Sequence, residues 1–329
     1  TDGFDIAEAS VSGNFTNMNV IIGGSASDTL SGVNGDNTWT YSAADTGIVQ
    51  TSLGGSPALA FSSFENVTGG GQNDTFDISN GSVSGTLNGG AGTNDVISYA
   101  TRASSLSFDL ETFLFPSVGT AANVEGVVGG TLSDGLTGAN DSNVWNVTAN
   151  NAGNVDGFTF SSIEVLIGGT ADDTFVFADG VTVTQFQGAS TPSLNTADFG
   201  AWTTDLTVLQ TASNTFDIAG MTTNSNNGNV STGAGNDSFI MSSNASFVFS
   251  CTLNGGAGID NLDYDTNSRV ELSGITVDLE NGLSTDVAGI LNIEEFIGST
   301  ATTTNEIQGS NAGSTWVLTN DTDGTLGGA

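Results

Sequence analysis

The chain has 329 residues, of which 36 are acidic and two are basic, so its formal net charge at pH 7 is −34. This charge opposes binding to nucleic acids and to anionic membrane surfaces, and it requires bound counter-cations. An apolar content of 37% is too high for a disordered acidic tail, and 46 glycines with only three prolines exclude collagen and Pro-rich linkers. No stretch approaches the ~20 apolar residues of a membrane-spanning helix.

A glycine-rich motif recurs from the start of the chain to its end: close glycines, a small spacer, an aspartate and then alternating apolar residues. Glycines permit a tight turn, and the residues after the aspartate have the pattern of a short strand. The first glycines of the copies are Gly23, Gly70, Gly89, Gly129, Gly168, Gly233, Gly255 and Gly298. Counting one to three coils between neighbouring copies gives about 21 residues per coil over the 275 residues from Gly23 to Gly298.

Self-similarity of this kind is typical of a solenoid. We predict an all-β fold, a right-handed parallel β-helix (β-solenoid), as a single domain over residues 1–329. Residues 182–228 are predicted to be an insertion or irregular coils within it. Alternating strands should direct apolar side chains inward, so Phe76, Phe175 and Phe239 are expected in the core.

A longer unit is also repeated, in which a tryptophan strand is followed by a glycine turn. Trp39, Trp145 and Trp316 occupy the same position of this unit. We expect them to lie at equivalent places in the fold.

The motif Gly-Gly-x-Gly-x-Asp-x-apolar, present at residues 255–262, resembles the calcium-binding repeat of RTX (hemolysin-type) proteins, and residues 89–96 are a close variant with one more residue before the aspartate. The longer segments 87–130 and 253–298 resemble the long repeats of large secreted bacterial adhesins and extracellular matrix proteins. The resemblance implies calcium as the bound ion and a secreted location, extracellular or at the cell surface.

Calcium takes six to eight oxygen ligands, so a site in a solenoid needs groups from two adjacent coils. Only motifs one coil apart provide them, which selects Asp74 with Asp95 and Asp237 with Asp260. Asp173 is a further candidate ligand.

A second interpretation of these aspartates needs no metal. A carboxylate in a glycine turn can accept backbone N–H groups and so close an Asx turn. For Asp28 and Asp134, which have no motif one coil away, we expect this role.

The rare residue types limit the chemistry available. There is no His or Lys, and the two basic residues, Arg102 and Arg269, lie at matching repeat positions that indicate structural salt bridges. The single cysteine, Cys251, is expected to be a buried apolar residue. We therefore predict that the chain is not an enzyme and has no catalytic residues. The alternative is a polysaccharide-active parallel β-helix enzyme, a lyase or glycoside hydrolase, with paired carboxylates beside Arg102 or Arg269.

The sequence predicts an extracellular structural protein: a fibre, matrix or surface-layer rod, or an adhesin stalk. Residues 314–329 repeat the tryptophan unit, and residues 2–24 resemble the segment that follows this unit at 156–169. We therefore expect an internal or processed start at Thr1 and self-association, as a head-to-tail homopolymer or a tandem array. Cell-surface polysaccharide is a further candidate partner.

Overall fold

The computed structural model describes residues 4–7, 14–52, 58–188, 195–223, 227–267, 274–300, 304–311, 315–318 and 324–327. Within these ranges the chain consists of strands and turns and contains no helix, so the predicted all-β class is confirmed. The chain divides into two compact units, unit 1 over Thr1–Gly169 and unit 2 over Thr170–Ala329.

The described residues of unit 1 form short strands. They are β1 Phe4–Ala7, β2 Asn14–Met18, β3 Val20–Ile22, β4 Thr29–Ser31, β5 Asn37–Ala43, β6 Thr46–Thr51, β7 Leu59–Ser62, β8 Asn66–Gly70, β9 Thr75–Asp77, β10 Val83–Gly90, β11 Val96–Ser98, β12 Ser107–Asp109, β13 Val118–Ala122, β14 Gly126–Val128, β15 Gly135–Thr137, β16 Val144–Ala149, β17 Ala152–Val155, β18 Phe158–Ser161 and β19 Val165–Ile167.

Most pairings in unit 1 are parallel. Strands β4–β8–β10–β13 form one parallel sheet, and β12–β15–β19 form a second. In a third sheet, parallel pairs such as β9–β11–β14 alternate with the antiparallel meanders β5–β6–β7 and β16–β17–β18. Consecutive strands β10, β11 and β12 pair in the same order with β13, β14 and β15.

Unit 2 is built from the same kind of strand. Its strands are β20 Thr174–Phe177, β21 Gln185–Gln187, β22 Asn195–Asp198, β23 Thr207–Ala212, β24 Thr215–Ile218, β25 Met221–Thr223, β26 Asn227–Ser231, β27 Ser238–Ile240, β28 Phe249–Asn254, β29 Asn261–Asp263, β30 Ile275–Asp278, β31 Leu283–Ser284, β32 Val287–Leu291, β33 Glu295–Ile297, β34 Asn305–Gln308, β35 Thr315–Leu318 and β36 Gly324–Gly327.

Parallel pairs also dominate unit 2. One series runs β20–β22–β26–β28–β32, and another runs β23–β27–β29–β33. The segment 182–228 contributes β21 to β25 and the start of β26 to these sheets, including the antiparallel meander β23–β24–β25. Strand β34 pairs with β30, and β35 forms a hairpin with β36.

The spacing between successive repeats is uneven. Hydrogen-bonded partners lie 21 residues apart at Asp74 and Asp95, but 30 apart at Asp95 and Glu125 and 37 apart at Asn37 and Asp74. The predicted 21 residues therefore holds for the closest pairs and is wrong as a uniform period. The meander β5–β6–β7 adds strands between Asn37 and Asp74, and between Asp95 and Glu125 the chain passes through the additional strand β12.

Aromatic side chains fill the core as the alternation predicted. Phe76, Phe175 and Phe239 are each 0% exposed. Cys251 is buried as well, and no disulfide involves it. The strand register assumed from the sequence is thus confirmed for these strands.

Two of the three equivalent tryptophans are described in full, and they have the same surroundings. Trp39 and Trp145 are completely buried, and each meets a phenylalanine edge-on, Phe61 at 5.6 Å and Phe160 at 5.9 Å between ring centroids. The backbone of Trp316 lies in the β35–β36 hairpin, but its side chain is outside the described part. The predicted equivalence is confirmed for the first two.

Candidate functional site

All five aspartates predicted as metal ligands are buried. Asp74, Asp95, Asp237 and Asp260 are 0% exposed, and Asp173 is 1% exposed. Each lies directly before or at the start of a short strand, at the end of a glycine-rich turn. Because burial of a charged carboxylate is costly without compensation, the groups around these side chains decide what the turns can do.

In unit 1 the motif aspartates connect successive repeats through a chain of hydrogen bonds. The backbone N–H of Asn37 donates to Asp74 Oδ1 at 2.6 Å, and the N–H of Asp74 donates to Asp95 Oδ1 at 2.6 Å. The N–H of Asp95 in turn donates to Glu125 Oε2 at 2.8 Å. Every bond runs from an earlier repeat to a later one.

Unit 2 contains the same arrangement. The N–H of Leu206 donates to Asp237 Oδ1 at 2.7 Å, and the N–H of Asp237 donates to Asp260 Oδ1 at 2.7 Å. The N–H of Asp260 donates to Glu294 Oε2 at 2.9 Å. We refer to these two series, Asp74–Asp95–Glu125 and Asp237–Asp260–Glu294, as the carboxylate ladders.

The structure therefore brings together the two predicted pairs, Asp74 with Asp95 and Asp237 with Asp260. Asp173 stands apart from both ladders, because its N–H donates to the side-chain oxygen of Asn195 at 2.7 Å.

The glutamates of the ladders were not predicted as functional residues. Glu125 and Glu294 accept in the ladders, and Glu164 accepts the N–H of Asp134 at 2.9 Å in the same way. Glu65 does the same for Asp28. The signal in the sequence is a recurring Ser/Asn-apolar-Glu triplet before a strand.

The first residue of each triplet turns the chain with a positive φ angle. We refer to these residues as the left-handed corners: Ser63, Asn123, Ser162 and Asn292, with φ between 48° and 61°. Ordinary L residues rarely adopt this conformation, and Asn tolerates it better than most.

The left-handed corners explain the first glycine of the motif. A Cβ atom added to Gly89 would lie 1.8 Å from the carbonyl oxygen of Asn123, and one added to Gly255 would lie 2.2 Å from that of Asn292. Only glycine permits this approach of one repeat to the next. In the triple glycine, Gly70 pairs with Gly90, so the motif there begins at Gly69 and the prediction of Gly70 as its first glycine is wrong.

The second carboxylate oxygen distinguishes the ladder aspartates. Within the described part of the chain, Oδ2 of Asp74, Asp95, Asp237 and Asp260 is buried without a hydrogen-bond partner. Near Asp237, the hydroxyl of Thr232 donates to the carbonyl of Gly255 at 2.7 Å, and this hydroxyl lowers the pKa of Asp237 against the effect of burial.

The pKa values respond to this environment. Burial raises the pKa of Asp74 to about 6, against the lowering effect of its bonds from Asn37, and the charges of Asp95 and Asp36 raise it further. Burial also raises the pKa of Asp95, and the charge of Glu125 acts in the same direction.

The unit 2 ladder behaves in the same way. Burial raises the pKa of Asp237 and of Asp260, and the negative charge of Asp205 contributes to both. Glu294 adds a further negative charge beside Asp260. The ladder aspartates therefore gain from taking up a proton or from a bound cation.

The donor chemistry suits calcium, since buried carboxylate and carbonyl oxygens are its preferred ligands. Among the described residues, however, no group of three or more His, Cys, Asp and Glu side chains lies close enough to hold a metal ion. An ion at a ladder would thus take one or two carboxylates and complete its shell with backbone carbonyls and water.

Of the two arginines, Arg102 is described and Arg269 lies outside the described residues. Arg102 Nη1 donates to the hydroxyl of Ser117 at 2.8 Å, and its guanidinium lies 5.7 Å from the centroid of the Tyr99 ring. In the described structure it meets a hydroxyl and an aromatic ring rather than the carboxylate of the predicted salt bridge.

No protein-family model matches the chain, and a search of curated proteins finds no match. Among the described residues, no helix has the length and apolar character needed to cross a membrane.

Proposed function

We propose that the chain is an extracellular structural protein, a calcium-stabilised β-solenoid that stacks head to tail in a fibre, matrix or surface layer. The observation that carries this proposal is the pair of carboxylate ladders, which connect repeat to repeat in both units. In a fold of this kind each repeat is stabilised by its neighbours, so stability grows along the array. Such a design suits a structural role.

The parallel β-helix within this proposal is supported by the order of strand pairing. Strands β10, β11 and β12 belong to three different sheets, and the next three strands pair with them in the same order. A chain that winds through three sheets and returns to each in turn has the connectivity of a solenoid coil.

Calcium would be held by Asp74 with Asp95 and by Asp237 with Asp260, through the Oδ2 atoms that have no hydrogen-bond partner in the described structure. Asp173 remains a weaker candidate, because its nearest repeat partner is the amide of Asn195. When bound, the ion supplies positive charge to a buried acidic turn.

The secreted location rests on the resemblance to RTX-like and adhesin repeats and on the charge of −34, which divalent cations outside a cell can balance. In this proposal the chain is not an enzyme, its main partner is itself, and cell-surface polysaccharide is a second partner.

The test compares thermal unfolding of metal-free protein with and without calcium. We expect calcium to raise the melting temperature, and magnesium to do so less because it demands tighter octahedral geometry. Asp237→Asn should reduce the calcium effect, whereas Glu111→Gln, at an exposed position whose carboxylate accepts the N–H of Asn140 and belongs to neither ladder, should preserve it.

Identical melting curves with and without calcium would remove the ion from the proposal. Electron microscopy of the same samples tests the fibre, and release of sugars from a panel of polysaccharides would favour the enzyme alternative instead.

A further inference from the structure

We propose that two copies of this chain join through continuous β-sheets, in which β36 of one copy pairs with β1 of the next and β34 pairs with β3. The inference rests on the proposed head-to-tail stacking and adds the strand register of the joint. The partner is a second copy of the same chain.

The joint has a template inside unit 1. In the meander β16–β17–β18, Trp145 lies opposite Val155, and β17 then pairs with a third antiparallel strand, β18. The C-terminal hairpin starts in the same way, with Trp316 opposite Leu326. In the described structure, however, β36 pairs with β35 alone.

Strand β1 has the sequence of such a third strand. Residues 2–6, Asp-Gly-Phe-Asp-Ile, match residues 156–160, Asp-Gly-Phe-Thr-Phe, which lead into β18. Among the described residues β1 pairs with β2 alone, so within this part of the structure its other edge is unpaired. Unpaired strand edges of this kind are templates for pairing with another chain.

The template fixes the register. Asn154 of β17 lies opposite Thr159 of β18. Aligning Trp316 with Trp145 and residues 2–6 with 156–160 places Thr325 of one copy opposite Asp5 of the next.

A second contact follows from aligning Gly23 with Gly168, which places nine more residues between Asp2 and Gly23 than between Asp156 and Gly168. Leu136 of β15 pairs with Leu166 of β19, and both side chains are 0% exposed. Their counterparts are Ile307 in β34, which is 41% exposed, and Ile21 in β3, which is half-buried. Pairing β34 with β3 of the next copy would bury both.

Apolar surface is exposed on both sides of the proposed joint. A cavity of about 150 Å³ opens beside Phe296 and Ile307 at the edge of unit 2. At the edge of unit 1, Val20 is 55% exposed and Ile22 is 69% exposed. Contiguous exposed apolar surface marks an interaction site, and a second copy offers the matching strands.

The experiment is disulfide trapping between two single-cysteine proteins in a Cys251→Ala background. One carries Thr325→Cys and the other Asp5→Cys. In the template, the N–H of Thr159 donates away from β17, to the carbonyl of Glu125, so Asn154 and Thr159 form a non-hydrogen-bonded pair. The Cα atoms of such pairs are close enough for a disulfide.

Mild oxidation of the mixture should give a disulfide-linked dimer on a non-reducing gel, while each protein alone stays monomeric. Replacing the second protein with Ala7→Cys, two residues out of register, should remove the dimer. A second mixture, Gln308→Cys with Ile22→Cys, tests the β34–β3 contact at exposed positions and does not depend on the hairpin. Circular dichroism confirms that each variant is folded.

Three results would contradict the inference. If electron microscopy shows filaments but neither in-register mixture is trapped, the register is wrong and the fibre proposal stands. If the folded protein stays monomeric at all concentrations in calcium, the joint fails together with the stacking part of the proposed function. Dimers of either protein alone would indicate head-to-head contact and also contradict the register.

Discussion

Asp95 and Asp134 lie in the same unit and at the same position of the same motif, yet their second carboxylate oxygens have different surroundings. Both Oδ1 atoms accept a backbone N–H from an earlier repeat, from Asp74 and Leu106 respectively. Oδ2 of Asp134 also accepts the N–H of Gly130 at 2.5 Å. Oδ2 of Asp95 is buried and, in the described structure, has no such partner.

The residue before the glycines explains this difference. Asn88 precedes the motif of Asp95, and its side-chain oxygen accepts the N–H of Gly90 at 3.0 Å. That donor is therefore no longer available to the aspartate. Val128 precedes the motif of Asp134 and offers no side-chain acceptor, so the second glycine donates to the aspartate instead.

The same contrast occurs a second time. Asn254 accepts the N–H of Gly256 at 3.2 Å, and Asp260 Oδ2 is left without a partner among the described residues. Where an isoleucine precedes the glycines, the N–H of Gly24 donates to Asp28. In these four turns, the residue before the glycines thus distinguishes a turn that satisfies its own carboxylate from one that leaves it for a proton or a cation. The turn-closing role predicted for Asp28 and Asp134 is confirmed.

The largest expected change in the free energy of unfolding comes from the first glycine of the motif, which both kinds of turn contain. Gly89→Ala and Gly129→Ala should each cost about 3 kcal/mol or more, because the new Cβ would lie 1.8 Å and 2.0 Å from a corner carbonyl oxygen. Urea unfolding measures both. Gly135→Ala, whose Cβ would meet its nearest atoms at 3.9 Å, is the control and should change stability little. A cost at only one of the two glycines would show that the repeats do not stack alike.

The next effect is a pH dependence from the unsatisfied carboxylates. The pKa of Asp74 is raised from 3.8 to about 6, so between these values the folded state binds more protons than the unfolded state. Metal-free protein should therefore lose stability as pH rises from 4.5 to 7, on the order of 2 kcal/mol from this group. Asp95, Asp237 and Asp260 act in the same direction.

Urea midpoints at several pH values check this, and Asp74→Asn should flatten the curve. The exposed carboxylates of Asp265 and Asp278 have lowered pKa values, so their contribution is lost only as pH falls below the ordinary aspartate range. Stability that rises steadily from pH 4.5 to 7 would contradict the burial argument.

Exchanging the residues before the glycines, Asn88 and Val128, tests why Asp95 and Asp134 differ. Asn88→Val should free the N–H of Gly90 for Asp95, and Val128→Asn should withdraw the N–H of Gly130 from Asp134. We expect about 1 kcal/mol in each case and opposite changes in the calcium dependence of unfolding. Titration of the folding free energy with calcium measures both. If neither variant alters the response to calcium, the preceding residue does not control it.

The smallest effect concerns the left-handed corners. Ser162 has φ 53°, whereas the equivalent Asn123 has φ 49°, and Asn tolerates this conformation better. Ser162→Asn should stabilise the protein by a few tenths of a kcal/mol, roughly 0.3, and Asn123→Ser should destabilise it by a similar amount. Calorimetric melting temperatures check the signs.

The strand content and the interior could be predicted because alternation is a local signal. A period of two places Phe76 and Phe239 on one side of their strands, whatever the neighbours are. The motif aspartates were found for the same reason, since turn and strand adjoin in sequence.

The partners of those aspartates could not be predicted. They depend on which strand lies next, and that distance varies from 21 to 37 residues with the meanders in between. Glu125 belongs to a recognisable Asn-apolar-Glu triplet, but the sequence does not indicate which N–H group it accepts. The corner at Ser162 was missed because serine has no strong preference for positive φ.

The carboxylate ladders also give assembly of the chain a direction. Each bond has its donor in an earlier repeat and its acceptor in a later one, as at Asp74 and Asp95. A nucleus that grows toward the C-terminus therefore presents unsatisfied N–H groups at its front, whereas one that grows toward the N-terminus presents bare carboxylates. Only the N-terminal front carries unpaired negative charge, which cations can screen. Ion concentration would then change the rate at which repeats add to the nucleus toward the N-terminus. The rate of addition toward the C-terminus would stay nearly unchanged.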